Sequence, residues 1–358
     1  MMKKLSALFI ISVIFSFVAQ AQTWNNTGPW PDTSWLNGTQ GIAVDPDGKV
    51  WYSDYWNQDT LDDGTGTRCI YCFHPDGTPA SFSPIKVINV GGPFGTYDTL
   101  GTKSTYGVKT ELKTGNIIYT NSNSDVFLIN YKTGDGLAKA NLGIGSLACP
   151  ASDTNGTIFI IDVTAGSIIK MLSWDGFSTT FTDLGNAIEN TPDLSRCLEV
   201  SADGNTIYAA YLTASRGVLI YHRADEFSPY LVVDSTTFKG WAVESITMHP
   251  ITGNLWLSGN SYYYTAVDSL TLQNCGQLLT KNVWYAYDFG SSAIVDSIAW
   301  LWYPHPDSLS DQQRSDLYRP RGIDFCPTGD TAYIGTFGSN VEWGIERVIR
   351  DTPYLGVE

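Results

Sequence analysis

Beyond its first 21 residues, the sequence has no apolar run long enough to cross a membrane as a helix. It is also poor in basic residues, because 21 Lys and Arg stand against 36 Asp and Glu and give a net charge of −15. An acidic surface repels nucleic acid phosphates and anionic lipid headgroups. These shortages argue against a nucleic-acid partner and a membrane-spanning domain. The same acidic surface would tolerate or attract divalent cations.

Signals for nucleophilic catalysis are missing as well. The sequence contains no G-x-S-x-G motif, which marks the nucleophile of many hydrolases. Its four histidines fall at turns or in a loop, without a recognisable acid–base pairing: His74, His222, His249 and His305. The pair Cys69 and Cys72 lacks the following histidine of a haem site, and residues three apart on a strand point to opposite faces. We therefore expect structural roles for these side chains.

The first 21 residues have the features of a secretory signal peptide. Lys3 and Lys4 form a basic start, an apolar run extends over residues 5–18, and Ala19-Gln20-Ala21 matches a cleavage site. The apolar run is short for a membrane span, which needs about 20 residues. We expect secretion to the periplasm, the cell surface or the exterior, with a mature chain that begins at Gln22.

What the sequence has in abundance is one hairpin pattern, first seen in residues 41–55. Two short apolar strands flank the turn at residues 45–48, where proline presets one φ and glycine accepts a positive φ. The pattern recurs five more times, and its turn glycines are separated by 67, 41, 48, 49 and 76 residues. These glycines are Gly48, Gly115, Gly156, Gly204, Gly253 and Gly329.

A second hairpin follows each of the first five copies, as in residues 69–90, so one unit has four strands. The middle spacings match the roughly 40–50-residue period of propeller blades, and a propeller also protects its sheet edges. A pair of β-sandwiches would not explain the repeat. We predict an all-β fold over residues 41–358, a six-bladed β-propeller of four-stranded antiparallel blades with insertions in the two long gaps.

The sixth unit lacks a clear fourth strand. Residues 354–358 could supply it, or the N-terminal segment at residues 22–40 could close the ring instead. The sequence leaves both alternatives open.

The cysteines allow disulfides, since six is an even number and the chain is expected to be exported. Cys149 and Cys326 precede prolines, as do Asp45 and His249, which suggests one shared turn position. In blades three and six these two cysteines would lie on opposite sides of the ring. The best candidate disulfide joins Cys197 and Cys275, and separate buried thiols are expected for most of the others.

Two of the repeats resemble known propeller repeats. GIAVDPDGKVWY at residues 41–52 resembles an NHL-type repeat, and SADGNTIY at residues 201–208 resembles YVTN-type and gluconolactonase-like (regucalcin-like) repeats. The resemblance covers residues 41 to about 350 and implies the propeller fold. It also implies a divalent ion held by Glu, Asn and Asp from different inner strands, with the Glu in E-x-P-x-W. Here VESITM at residues 243–248 lacks both the Pro and the Trp, so the resemblance specifies architecture better than activity.

The loops at one mouth of the channel carry the candidate ligand-binding side chains. Carboxylates and amides are oxygen ligands for hard cations, arginines hold carboxylates or sulfates, and aromatic rings stack on sugars. The candidates are Asp54, Trp56, Asn121, Asp162, Arg196, Trp241, Glu244, Arg319 and Arg321. A site for Ca²⁺ or another divalent cation would use Glu244, Asp54 and Asp162.

Two functional hypotheses follow from these features. The leading one is a secreted, monomeric, non-catalytic propeller that binds an extracellular small molecule, glycan or protein. The alternative is a divalent-metal-dependent lactonase or hydrolase of the gluconolactonase-like type, which would use the carboxylates at the channel mouth.

Overall fold

The computed structural model describes residues 24–31, 39–54, 59–101, 103, 105–213, 215–259, 270–271, 278–279, 283–300, 319–337 and 345–354. Within these ranges the chain forms an all-β, six-bladed propeller of small antiparallel sheets, which confirms the predicted fold class. One 3₁₀ turn, Gly92–Phe94, interrupts the strands. No helix in the described part of the chain is long and apolar enough to cross a bilayer.

Six inner strands form a closed ring around the central channel. Each contacts the inner strand of the next blade, and the strand of blade one contacts those of blades two and six. In blades one to six the inner strands are Thr39–Val44, Thr105–Thr110, Ala151–Ser152, Ser195–Val200, Ile246–Met248 and Arg319–Phe325.

Each inner strand pairs with a second strand, and each second strand with a third. The second strands are Val50–Asp54, Ile117–Asn121, Thr157–Ile161, Thr206–Tyr211, Leu255–Ser258 and Thr331–Phe337. The third strands are Ile70–Phe73, Asp125–Ile129, Ile169–Ser173, Val218–His222, Val283–Asp288 and Ile345–Arg350. Blades two to six add the outer strands Gly136–Asn141, Thr182–Ile188, Leu231–Asp234, Ala293–Ala299 and Trp24–Pro29. Short hairpins are formed by Asp59–Thr60 with Gly66–Thr67, Val87–Val90 with Thr96–Thr99, and Leu270–Thr271 with Leu278–Leu279.

The N-terminal segment closes the ring. Trp24–Pro29 is the outer strand of blade six and pairs with Ile345–Arg350, near the other end of the described chain. Trp24 Nε1 also donates a hydrogen bond to Asp296 Oδ2 of blade five at 2.9 Å. Of the two alternatives left by the sequence, the structure therefore selects the N-terminal one. The expected signal peptide lies outside the described residues.

Blade one departs from the regular outer hairpin predicted for residues 69–90. The predicted turn forms, since Gly77 N donates to His74 O at 2.8 Å, but beyond it the chain makes only isolated bridges to the third strand. Pro79 and Pro84 lack the N–H groups that a strand ladder needs. Val87–Val90 instead joins the outer edge of blade two, which becomes a six-stranded sheet.

The turn between the first and second strands is closed by a glycine in all six blades, and it is one residue longer in blades two and five. The N–H of each turn glycine donates to the carbonyl of the residue that starts the turn, and the glycines have φ between 68° and 91°. The starting residues are Asp45, Glu111, Asp153, Ser201, His249 and Cys326. Cys149 was wrongly assigned to this position from its following proline, because the strand Ala151–Ser152 still intervenes before the turn.

The core consists of six hydrophobic clusters, one at each interface between neighbouring blades. The second strand of each blade is therefore largely buried on both faces. Cys69 lies in the cluster between blades six and one, whereas Cys72 lies in the cluster between blades one and two. This confirms that the two thiols point to opposite faces.

Candidate functional site

The inner strands carry a β-bulge near one mouth of the channel. In blades one, two, four and six the register with the second strand shifts by one residue at the same place. The shift leaves one extra residue, and such bulges redirect side chains. Gln40, Arg196 and Arg321 occupy the bulge in three of these blades. Glu244 has the same place in blade five, where its N–H and that of Ser245 both donate to Ser258 Oγ.

Three of these bulge residues form a buried row across blades one, six and five. Arg321 Nη1 donates to Gln40 Oε1 at 2.8 Å, and Arg321 Nε forms an ion pair with Glu244 Oε2. Arg321 is 7% exposed and Glu244 2%, so both charges have left water. The structure thus brings two predicted site residues together, and it neutralises Glu244 with arginine.

Asp54, Asn121 and Asp162 occupy one equivalent position, at the end of the second strand or just after it in blades one to three. Asn121 Oδ1 accepts the N–H of Asn123 at 2.8 Å, and Asp162 Oδ1 accepts the N–H of Thr164 at 2.9 Å. A side chain that accepts the N–H two residues on makes an Asx turn. These polar groups therefore shape the connection to the third strand of their own blade.

The metal hypothesis needs Glu244, Asp54 and Asp162 to converge on one point. Each instead has partners in the fold, and no group of three or more His, Cys, Asp or Glu suited to a metal ion occurs among the described residues. The described residues alone therefore do not fit a calcium-like site, which takes six to eight oxygens.

Asp54 is a buried carboxyl group near the mouth with a strongly shifted pKa. Its side chain is buried, Oδ1 accepts the N–H of Cys69 at 3.1 Å, and Oδ2 accepts the Tyr71 hydroxyl at 3.4 Å. Burial raises the pKa of Asp54 to about 7, although the hydrogen bond from Cys69 and the charge of Arg68 oppose the rise. The group therefore changes protonation near neutral pH.

We expect Asp54→Asn to be more stable than the wild type at pH 8, and we expect this gain in stability to be much smaller at pH 4. In the wild type the native state keeps the Asp54 proton up to about pH 7, whereas the unfolded state loses it near 3.8, so stability falls as pH rises through this window. The gain of the variant over wild type should grow by up to about 4 kcal/mol across that range. Urea unfolding at both pH values measures it. Asparagine fits this position, because blade two already has Asn121 there. A gain in stability that does not depend on pH would contradict the shifted pKa of Asp54.

The remaining predicted site residues do not share one environment. Trp241 is fully buried, with its ring 5.9 Å from Phe238 and 5.7 Å from Tyr285, so it belongs to the core and offers no stacking surface. Arg196 is half-buried at the bulge of blade four. Arg319 is the first residue of the sixth inner strand, and Trp56 lies outside the described residues.

Below the mouth, the channel contains a charged network that sequence analysis missed. Lys109 Nζ of blade two reaches Glu199 Oε2 of blade four and Thr247 Oγ1 of blade five, each at 2.8 Å. Asp324 Oδ1 of blade six lies 3.4 Å from Thr247 Oγ1. The signal was present in the repeats, because one position lies two residues before the start of every turn. In blades one to six it holds Ala43, Lys109, Ala151, Glu199, Thr247 and Asp324.

The network includes a charged lysine, Lys109, which is buried inside the channel. Burial alone lowers the pKa of Lys109, but the carboxylates of Glu199 and Asp324 outweigh it and raise the pKa above the ordinary value. Burial also raises the pKa of Asp324, against the opposing charge of Lys109. Lys109, Glu199 and Thr247 are all buried, so the network fills the channel at this level.

His249 has a structural role, as expected. Its Nδ1 accepts the N–H groups of Ile251 and Thr252, both at 3.2 Å, which assigns the proton to Nε2, 3.1 Å from Gly329 O. Burial lowers the pKa of His249 to about 4. The neutral ring thus replaces the aspartate that shapes the corresponding turn of blade one.

Comparison with known proteins assigns no family to the chain. A scan against protein-family models and a search of curated proteins both find no match. The chemistry of the site therefore has to be inferred from its geometry. That geometry provides guanidinium and amide groups at the mouth, a neutralised carboxylate, and a closed, charged channel below them.

Proposed function

We propose that the protein is a secreted, non-catalytic binding propeller whose ligand or partner docks at the channel mouth. The observation that supports this most is the buried ion pair between Glu244 and Arg321. A metal-dependent lactonase would need the Glu244 carboxylate as a ligand. Releasing it would break a buried pair, which typically costs about 3–5 kcal/mol.

The chemistry of the mouth favours a ligand with an anionic group. Arg196 lies at the bulge of blade four, next to the blade that carries Glu244. Guanidinium groups recognise carboxylates and sulfates through paired hydrogen bonds. Among extracellular small molecules, glycans and proteins, acidic glycans carry such groups in repeated form, so they are the first ligands to test.

The resemblance of residues 41–52 to NHL-type repeats is consistent with a recognition function. Propellers host unrelated activities, however, so the resemblance supports the architecture more than the ligand. The gluconolactonase-like alternative rests on the same resemblance and lacks a converging set of oxygen ligands among the described residues. It is therefore the competing outcome of the experiment below.

The test is thermal melting of the chelated protein with two series of additions. In the first, millimolar Ca²⁺, Mg²⁺, Mn²⁺ or Zn²⁺ is added, and we expect no ion-specific rise in Tm. In the second, sulfated and uronate-containing oligosaccharides are added, and we expect a rise. A ligand at a hundredfold excess over its Kd stabilises the native state by about 2.7 kcal/mol.

Variants locate the binding surface. Arg196→Gln should abolish the rise with acidic oligosaccharides, whereas the matched control Arg223→Gln, on the outer hairpin of blade four, should retain it. An ion-specific rise accompanied by hydrolysis of lactones would overturn the binding proposal and favour the metal-dependent enzyme.

A further inference from the structure

Cys149 and Cys197 lie side by side on neighbouring parallel segments of blades three and four. They are direct bridge partners: Cys149 N donates to Arg196 O at 3.0 Å, and Leu198 N donates to Cys149 O at 3.2 Å. These two bonds bracket Cys197, so the two side chains leave the ladder on the same side. Neighbouring strands lie about 4.8 Å apart, within the range of about 4.4–6.8 Å found for Cα atoms across disulfides.

The surrounding packing holds the two cysteines in place from both sides. Blade two closes the other side of Cys149, because a Cβ on Gly107 would lie only 2.4 Å from Cys149 Cα. On the far side, Cys197 Sγ lies 3.5 Å from Ile246 O of blade five. Cys149 Sγ lies 3.8 Å from Val108 O of blade two, and both cysteines are free thiols in this structure. The interaction of the two side chains raises the pKa of Cys149 and lowers the pKa of Cys197.

We propose that Cys149 and Cys197 form a disulfide that joins the inner strands of blades three and four beside the channel. The sequence pointed instead to Cys197 with Cys275, and Cys275 lies outside the described residues. Among the cysteines that the structure describes, Cys69 and Cys72 lie in separate clusters and Cys326 lies at the turn of blade six.

The reaction is thiol–disulfide exchange with a small or protein disulfide as the oxidant. Cys149 is half-buried and Cys197 is 3% exposed, so the mixed disulfide forms at Cys149 with release of one reduced thiol. The thiolate of Cys197 then attacks the Cys149 sulfur and releases the second. The protein loses two electrons and two protons, and the oxidant becomes two thiols. The expected export of the protein would place it in an oxidising compartment, where disulfides persist. The geometry of the cysteine pair does not depend on export.

Peptide mapping tests the pairing directly. The full-length protein is equilibrated with oxidised glutathione, its free thiols are alkylated in denaturant, and a non-reducing tryptic digest is examined by mass spectrometry. Trypsin places the two thiols in peptides with one cysteine each, residues 140–170 and residues 197–216. We expect these two peptides to be linked. A link from residues 197–216 to residues 240–281, which contain Cys275, would overturn the proposal, and so would alkylation of both thiols.

Thermal melting tests the consequence for the fold. A disulfide removes conformational freedom from the unfolded chain, so the oxidised wild type should melt roughly 3–8 °C above the reduced protein. Cys149→Ser and Cys197→Ser should each abolish this redox-dependent difference, and Cys326→Ser, the matched control, should retain it. A difference that survives Cys149→Ser would overturn the assignment. Neither experiment involves a glycan or a metal ion. The disulfide proposal can therefore be refuted or supported separately from the proposed function.

Discussion

Glu199→Gln is expected to lower the free energy of unfolding by about 3 kcal/mol, the lower end of the usual cost of breaking a buried ion pair. The substitution keeps the shape of the side chain and an oxygen that can accept the N–H of Met248, but it removes the charge that faces Lys109. Lys109 is buried in the closed part of the channel and cannot turn to water. Asp324 remains nearby and limits the loss. Urea unfolding followed by tryptophan fluorescence measures the effect.

A second substitution separates charge from packing. Lys109→Met combined with Glu199→Gln removes both charges of the ion pair and should recover part of the lost stability, because apolar replacement of a buried pair is often neutral. The recovery should be incomplete, since Asp324 loses the opposing charge of Lys109. The exposed Lys113, in the first turn of the same blade, provides the matched control. Lys113→Met should change stability by no more than about 0.5 kcal/mol. Equal stability of Glu199→Gln and the wild type would contradict the network.

Glu244→Gln is expected to cost about 3–5 kcal/mol of stability, with or without divalent cations. The reason is that Arg321 stays buried after its carboxylate partner has lost its charge. A metal ligand would behave differently, because its removal would matter only when the ion is bound. Urea unfolding in chelator and in millimolar Ca²⁺ distinguishes the two cases.

The double variant Glu244→Gln/Arg321→Met should recover much of this loss, since it leaves no buried charge in the pair. Glu226→Gln, at an exposed position in the outer hairpin of blade four, is the matched control and should be close to neutral. If the single variant is destabilised only in the presence of Ca²⁺, the ion-pair interpretation is refuted and the metal site regains support.

The fold was largely predictable because its signals are local. A turn glycine such as Gly48 or Gly204 and the apolar residues beside it lie within a few positions of one another, and six copies reinforce the pattern. The same local logic failed in blade one, where Pro79 and Pro84 prevent a regular outer strand. It also misplaced Cys149, because a proline after a cysteine does not reveal how many strand residues still precede the turn.

The candidate site was predictable only in part. Glu244 and Arg321 were both identified from their place in the mouth loops, but their pairing depends on the bulges that redirect each side chain. The sequence makes Asp54 and Asp162 candidate metal ligands because their carboxylates offer hard oxygen atoms at the channel mouth. The structure shows both carboxylates bonded within their own blades, a property of backbone geometry that residue type alone does not reveal.

The sequence by itself determined the repeat, the turn chemistry and hence the all-β propeller with six blades. Only the tertiary structure decided which segment closes the ring, which thiols lie together and what fills the channel. Trp24 and Arg350 are paired from opposite ends of the described chain, and Lys109 contacts Glu199 and Thr247, which lie 90 and 138 positions further along the sequence. Such contacts are made when the ring closes and brings inner strands around one axis, so a pattern that extends over one hairpin contains no information about them.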